Sequence, residues 1–113
     1  MMTVLVTGGA GSMGRLVCTS LAADGHQVRA FDLASANFDH LPCNVKRVSG
    51  DLTSIEDVTG ALHGADAVVH LAAILPPLAN QQIDLTRRVN VDGTRIVVDA
   101  MRSNIPDARL GFS

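Results

Sequence analysis

The sequence lacks any long apolar run, any basic patch and any cysteine-rich motif. No apolar stretch approaches the ~20 residues that a membrane-spanning helix requires. The formal net charge is -2, and adjacent basic residues occur only at 46–47 and 87–88, so nothing indicates a nucleic-acid or membrane-surface partner. Cys18 and Cys43 form no CxxC pair and show no metal-type spacing with the histidines. The sequence therefore predicts no metal site.

Signals for export are also lacking. No basic region precedes the first short apolar run, and glycines follow that run at once, which is unlike a secretory signal peptide. The sequence has no Asn-x-Ser/Thr glycosylation site. Two unpaired thiols are typical of a reducing compartment. We therefore expect a soluble cytoplasmic protein.

What is present is a regular alternation of strand and helix patterns over 113 residues, 47% of them hydrophobic. This length suits one domain and not two. Strands are predicted at 3–7, 27–32, 45–49, 67–73 and 109–113, and helices at about 13–24, 53–63 and 82–103. Such alternation predicts an α/β fold with a doubly wound parallel sheet, the Rossmann fold, which stops after the start of the fifth strand.

The second helix begins with a capping pattern. Thr53 is expected to accept from the first-turn amides, and Glu56 is expected to reach back to the amide of Thr53. Gly64 would end this helix.

A glycine-rich loop, GGAGSMG at residues 8–14, lies between the first strand and the first helix. Gly8 would allow the tight turn out of the strand, Gly11 would let the backbone approach a pyrophosphate, and Gly14 would let the helix pack close to the sheet. The amides and dipole of the first helical turn then favour the diphosphate. A Walker loop is excluded because Arg15 stands where that motif has lysine. The alternative is a glycine turn with no ligand.

Asp32 ends the second predicted strand, 18 residues after Gly14. An acidic residue at this place can accept hydrogen bonds from the ribose hydroxyls of a dinucleotide. It would also repel a 2′-phosphate, and no arginine follows within 33–38 to bind one. The predicted cofactor is therefore NAD rather than NADP.

Four motifs in order resemble the extended short-chain dehydrogenases/reductases, the NAD-dependent epimerase/dehydratase family. They are TGGAGSMG at 7–14, GDLT at 50–53, VHLAA at 69–73 and VNVDGT at 89–94. The resemblance implies a pyrophosphate-binding loop, an acidic turn that meets the adenine, a fourth strand that flanks the cofactor, and an Asn near the nicotinamide half. Together with the loop and Asp32, the predicted cofactor contacts are Gly8, Gly11, Ser12, Met13, Gly14, Asp32, Leu33, Asp51, Leu52, Leu71, Ala72, Ala73 and Asn90.

Other interpretations of single residues stay open. Asp51 can instead cap the following helix. His70, inside an apolar strand, is better explained as a hydrogen-bonded core residue than as a base. Asn90 can support the fold through backbone bonds rather than contact NAD.

The resemblance also shows what this sequence does not contain. The family's reaction uses a Ser/Thr, a Tyr that acts as acid and base, and a Lys that lowers the pKa of the Tyr. The chain has no tyrosine, and its one lysine is Lys46. No catalytic residue is therefore assigned. We expect the NAD-binding, N-terminal part of a protein roughly three times longer, without its substrate domain.

Two functions follow as hypotheses. The first is the NAD-binding part of an enzyme that acts on a nucleotide sugar or similar hydroxylated substrate by hydride transfer. The second is a non-catalytic NAD-binding or interaction module that dimerises through the helix at 82–103.

Overall fold

The computed structural model describes residues 1–71 and 91–112. These two ranges contain five strands and three helices, and a helix separates consecutive strands except between the second and third strands. In chain order they are β1 Thr3–Thr7, α1 Ser12–Ala23, β2 Gln27–Asp32, β3 Lys46–Ser49, α2 Ile55–Leu62, β4 Ala67–His70, α3 Gly93–Asn104 and β5 Arg109–Phe112.

The strands form one parallel sheet in the order β3-β2-β1-β4-β5. The chain starts in the middle at β1, proceeds to one edge through β2 and β3, and then returns to the other side of β1 with β4. The order therefore reverses between β1 and β4, and such a switch point opens a crevice outside the carboxyl ends of the strands. The predicted α/β Rossmann class is confirmed.

Both faces of the sheet are covered, as a doubly wound sheet requires. Side chains of β1 alternate between the faces, because successive residues of a strand point to opposite sides. Leu5 packs with residues of α2 and α3. Val4 and Val6 pack on the other face with Cys18 of α1. β1 is therefore the buried centre of the domain.

The boundaries differ from the predictions in small ways. β3 begins at Lys46, one residue later than expected, and β4 is described as far as His70. The predicted loop at 76–77, the first part of the predicted helix at 82–103, and residues 72–73 and 113 lie outside the described residues.

The capping prediction for α2 was wrong by one residue. Ser54 is the N-cap, and its hydroxyl accepts from the Asp57 amide at 3.2 Å. Thr53 instead donates its amide and its hydroxyl to Asp51. Adjacent Thr and Ser are both good capping residues, and the turn that Asp51 forms with Thr53 leaves Ser54 in the capping position.

The described part of the third predicted helix, α3, turns its apolar residues inward. Val97, Ala100 and Met101 are buried in the chain's own core beside α2. Dimerisation through 82–103 is not tested by these contacts and stays a prediction. Of the helices in the described ranges, none combines the length and apolar character needed to cross a bilayer.

Candidate dinucleotide-binding site

The site is built at the carboxyl-terminal edge of the sheet. There the glycine loop leaves β1, Asp32 ends β2, and His70 ends β4, with Leu71 directly after it. The loop is tied to β2 by the Gly9 amide, which donates to the Phe31 carbonyl at 3.1 Å. The predicted phosphate and ribose residues therefore lie side by side at the switch point.

Gly8 has the role that the sequence predicted, whereas Gly14 packs against the loop rather than against the sheet. Gly8 has a φ of 70°, the left-handed conformation that glycine adopts without strain, and it turns the chain out of β1. A Cβ at Gly14 would overlap the carbonyl oxygen of Gly8. Gly14 therefore brings α1 close to the loop itself. At Gly11 a Cβ would lie 3.4 Å from the same oxygen, so the protein alone leaves room there.

Sequence reasoning missed the role of Gly9. A Cβ at this position would lie 2.6 Å from the Cβ of Ala30 and 2.8 Å from its Cα, so the loop passes directly over β2. The second glycine of the Gly8-Gly9 pair was the available signal, together with the small residue at position 30. This contact sets the height of the loop above the sheet.

Asp32 holds the loop as well as ending β2. Its Oδ2 accepts from the Ala10 amide at 3.1 Å, and its Oδ1 accepts from the Leu33 amide at 2.9 Å. The side chain is half-buried. Two amide donors fix the orientation of the carboxylate, which has lone pairs for further donors. Ribose hydroxyls are donors of the required kind.

The N-terminus of α1 is open to an anion. Its N-cap, Gly11, offers no side-chain acceptor, and the first turn contains no acidic residue. Ser12 and Met13 are exposed at this end. Because first-turn amides have no partner within a helix, they remain donors for a phosphate.

The predicted adenine residues are joined to this edge through the backbone. The Gly50 amide donates to the Asp32 carbonyl at 3.0 Å, which places Asp51 and Leu52 beside the end of β2. Leu52 is buried, whereas Leu33 is 53% exposed. The Asp51 carboxylate accepts from the Thr53 amide and hydroxyl, so Asp51 shapes the turn before α2 rather than capping the helix itself.

The ends of β1 and β4 carry a polar cluster, whereas the other buried residues of these two strands are aliphatic. The Leu71 amide donates to the carbonyl and to the hydroxyl of Thr7, at 3.2 and 3.1 Å. His70 is buried and hydrogen-bonded to Thr7, as expected for a core histidine. Burial lowers the pKa of His70 below its ordinary value of 6.5, so the ring is neutral at pH 7.

The described sites are thus brought together from four parts of the chain. They share the carboxyl-terminal edge of the sheet and are the loop at 8–14, Asp32 and Leu33, Asp51 and Leu52, and Leu71. The remaining predicted contacts, Ala72, Ala73 and Asn90, lie outside the described residues. No cluster of His, Cys, Asp or Glu that could hold a metal occurs in the ranges that the structure covers.

Known proteins share both the sequence and the fold. The model of the 3-beta hydroxysteroid dehydrogenase/isomerase family matches residues 5–106. The 3-beta-hydroxysteroid dehydrogenase of Mycolicibacterium neoaurum is 38% identical over 102 residues, which are 86% of this chain and 28% of that protein.

Two solved structures contain the same fold with NAD. A short-chain dehydrogenase/reductase superfamily protein from Agrobacterium tumefaciens, with bound NAD, matches with a TM-score of 0.81 and 34% identity, over 97% of this chain and 31% of that one. The UDP-glucose 4-epimerase of Thermus thermophilus, in complex with NAD, matches with a TM-score of 0.83 and 32% identity, over 90% and 34% of the two chains.

The parallel sheet and its glycine loop define a Rossmann-type domain of the extended short-chain dehydrogenases/reductases, as the sequence predicted. Within that class, the chain belongs to the 3-beta hydroxysteroid dehydrogenase/isomerase family. It spans less than a third of the curated relative described above. NAD, the cofactor predicted from the sequence, is bound in both of the solved structures.

Proposed function

We propose that this chain forms the NAD-binding part of an oxidoreductase or epimerase that transfers hydride at a hydroxyl-bearing carbon. One observation carries the proposal: the carboxylate of Asp32 and the glycine loop are hydrogen-bonded to each other at the switch point of the sheet. A loop that only turned the chain would need neither an open helix N-terminus nor an oriented carboxylate beside it.

Each described residue has a proposed role that follows from its position. The loop residues Gly8 and Gly11, with Ser12, Met13 and Gly14 of α1, would hold the pyrophosphate by backbone amides and the helix dipole. Asp32 would accept from the adenosine ribose hydroxyls. Leu33, Asp51 and Leu52 would border the adenine, and Leu71, Ala72, Ala73 and Asn90 would border the nicotinamide half.

These residues fit NAD because they offer amide donors to phosphates and an oriented acceptor to ribose. When bound, the cofactor supplies a site that accepts or returns hydride, while the protein supplies orientation. The acid–base chemistry of the family type is not assigned to any residue of this chain, since the sequence contains no tyrosine.

The substrate class is proposed from similarity. The names of the relatives given above include a hydroxysteroid dehydrogenase and a UDP-glucose epimerase, and both describe substrates with a secondary hydroxyl group. The family match favours a hydroxysteroid or similar apolar alcohol, whereas the sequence analysis favoured a nucleotide sugar. Turnover of each class by the protein of which this domain is part would decide between them.

The preference for NAD is tested by titrating the chain with NADH and NADPH and following nicotinamide fluorescence. The protein background is low because the chain has no Trp and no Tyr. We expect NADH to bind at least roughly tenfold more tightly than NADPH, because Asp32 repels the 2′-phosphate.

Two variants make the test specific. Asp32→Ala should weaken the binding of NADH and reduce the difference in affinity between NADH and NADPH, because the ribose acceptor and the repelling charge are both lost. Asp107→Ala removes the same charge from an exposed turn before β5 and should leave both affinities unchanged. Equal binding of NADH and NADPH to the unaltered chain would contradict the proposed role of Asp32.

A further inference from the structure

A row of polar groups crosses from β1 through β4 to α3 under the proposed cofactor edge. The Oγ1 of Thr7 lies 2.7 Å from the Nδ1 of His70. The other ring nitrogen, Nε2, lies 3.0 Å from the Oγ1 of Thr94 in the first turn of α3. The Thr7 hydroxyl also accepts from the Leu71 amide. Three elements that are distant in sequence are thus joined through one imidazole.

Burying these polar groups in the core reduces the stability of the fold unless their hydrogen bonds are all made. Thr7 is 1% exposed and His70 is 7% exposed, in two strands, β1 and β4, whose other buried residues are aliphatic. Buried polar groups destabilise a fold unless they are hydrogen-bonded, whereas apolar residues of similar size would pack there without that requirement. Hydrogen bonds are directional, so they fix relative positions that packing alone leaves adjustable.

Each end of the row adjoins a segment assigned to the cofactor. Thr7 immediately precedes Gly8, and Leu71 immediately precedes Ala72. Thr94 lies four residues after Asn90. The same turn of α3 also packs closely against Leu52, which is predicted to border the adenine, since a Cβ at Gly93 would lie 3.3 Å from the Cβ of Leu52.

We propose that Thr94 and His70 are positioning residues for the dinucleotide, because they hold the first turn of α3 and the end of β4 against the strand that leads into the phosphate-binding loop. This inference rests on the proposed NAD-binding function. Neither residue is required to touch the cofactor. Their effect is to keep the backbone on both sides of the crevice at one fixed separation.

The test replaces Thr94 in two ways and measures NADH affinity on the full chain. Thr94→Val keeps the shape and removes the hydroxyl, so NADH should bind roughly three- to tenfold more weakly. Thr94→Ser keeps the hydroxyl and should restore binding to within about twofold of the unaltered chain.

Thr19→Val is the matched helical control. The Thr19 hydroxyl donates to the Arg15 carbonyl on the exposed side of α1, so its loss should affect stability slightly and NADH affinity not at all. A second measurement, independent of any variant, follows the ring nitrogens of His70 by NMR. Their signals should shift when NADH is added, while those of His26, which accepts from the Met2 amide at the opposite edge, should not.

The outcomes separate this inference from the proposed function. If the unaltered chain binds NADH and Thr94→Val binds it equally well, the positioning role is wrong and the NAD site stands. The same holds if Thr94→Ser is as weak as Thr94→Val, or if the His70 ring signals are unmoved by NADH. If the unaltered chain does not bind NADH, both the function and this inference fail.

Discussion

Single glycines of this chain differ widely in what they tolerate. Gly14 faces the Gly8 carbonyl with no room for a Cβ, whereas a Cβ at Gly60 in α2 would meet no atom within 4 Å beyond the adjoining backbone of its own helix. The same substitution should therefore have opposite effects at the two places, because a steric overlap destabilises while an open helical site gains from reduced chain entropy.

Gly14→Ala should cost about 3 kcal/mol or more of unfolding free energy, since backbone rather than a flexible side chain must move. Gly60→Ala should add about 0.5–1 kcal/mol. Urea unfolding followed by circular dichroism measures both. A Gly14→Ala chain as stable as the parent would show that α1 does not approach the loop as closely as described.

The two cysteines should differ in reactivity for a comparable reason. Burial raises the pKa of the Cys18 thiol to about 11, and this side chain is fully buried, whereas Cys43 is exposed. Because the thiolate is the reactive form, a thiol reagent at pH 8 should modify Cys43 at least about 100-fold faster than Cys18 in the folded chain. Equal rates of modification of Cys18 and Cys43 would contradict the buried position of Cys18, and thus the packing of α1 against the sheet.

At the scale of elements, β2 supports the end of α2. The Arg29 guanidinium donates from one nitrogen to the Ala61 carbonyl at 2.8 Å and to the His63 carbonyl at 2.7 Å. These carbonyls lie at the C-terminus of α2, where intrahelical partners are missing and a positive charge is favourable.

Arg29→Met should therefore destabilise the chain by about 1–2 kcal/mol, since two hydrogen bonds from a charged donor to the carbonyls at the end of α2 are lost while the aliphatic stem is kept. Arg95→Met, at an exposed position of α3, is the control and should change stability by less than about 0.5 kcal/mol. Thermal or urea unfolding of the two variants gives the comparison. Equal effects would mean that the Arg29 contacts contribute nothing specific.

The elements themselves were largely predictable, for identifiable reasons. The β-branched run of β1 and the Gly8–Gly14 spacing predicted a strand, a turn and a helix, and the structure contains all three. The N-cap at Ser54 was not predictable, because Thr53 and Ser54 have nearly equal capping preference and the local hydrogen bonds of Thr53 to Asp51 decide between them. The contact between Gly9 and Ala30 depends on loop height, which no local pattern encodes.

The polar row was predictable only in part. An isolated His70 in an apolar strand indicated a hydrogen-bonded core residue, and that interpretation is confirmed. Its partners are 63 residues earlier and 24 residues later in the sequence, so they become apparent only when the sheet order is known. Side chains that meet through topology rather than through local spacing are the part of the site that sequence reasoning does not reach.

At the scale of the whole molecule, His70 links stability to pH. Its pKa is lowered in the folded chain and returns to about 6.5 on unfolding, so below that pH the unfolded chain binds more protons. The stabilisation is fully present above pH 6.5 and is lost as the pH falls toward the lowered folded-state pKa.

His70→Gln should remove this component, so the difference in unfolding free energy between the two proteins should change by up to about 1.4 kcal/mol per pH unit below pH 6.5 and stay constant above it. His26, His40 and His63 are present in both proteins and cancel in the difference. If the plots of unfolding free energy against pH for the two proteins are parallel from pH 4.5 to 8, His70 does not change its proton affinity on folding.

The proposed dinucleotide site is the carboxyl-terminal edge of the sheet, at the reversal between β1 and β4. The most direct test is an NMR titration of the labelled chain with NAD, in which every assigned backbone amide reports its own surroundings. We expect shifts at residues 8–14, 32–33, 51–52 and 71, and none at the amino-terminal edge of the sheet near 26–27, 66–67 and 107–109. Shifts confined to that amino-terminal edge, or no shifts at the glycine loop at saturating NAD, would contradict the proposed site.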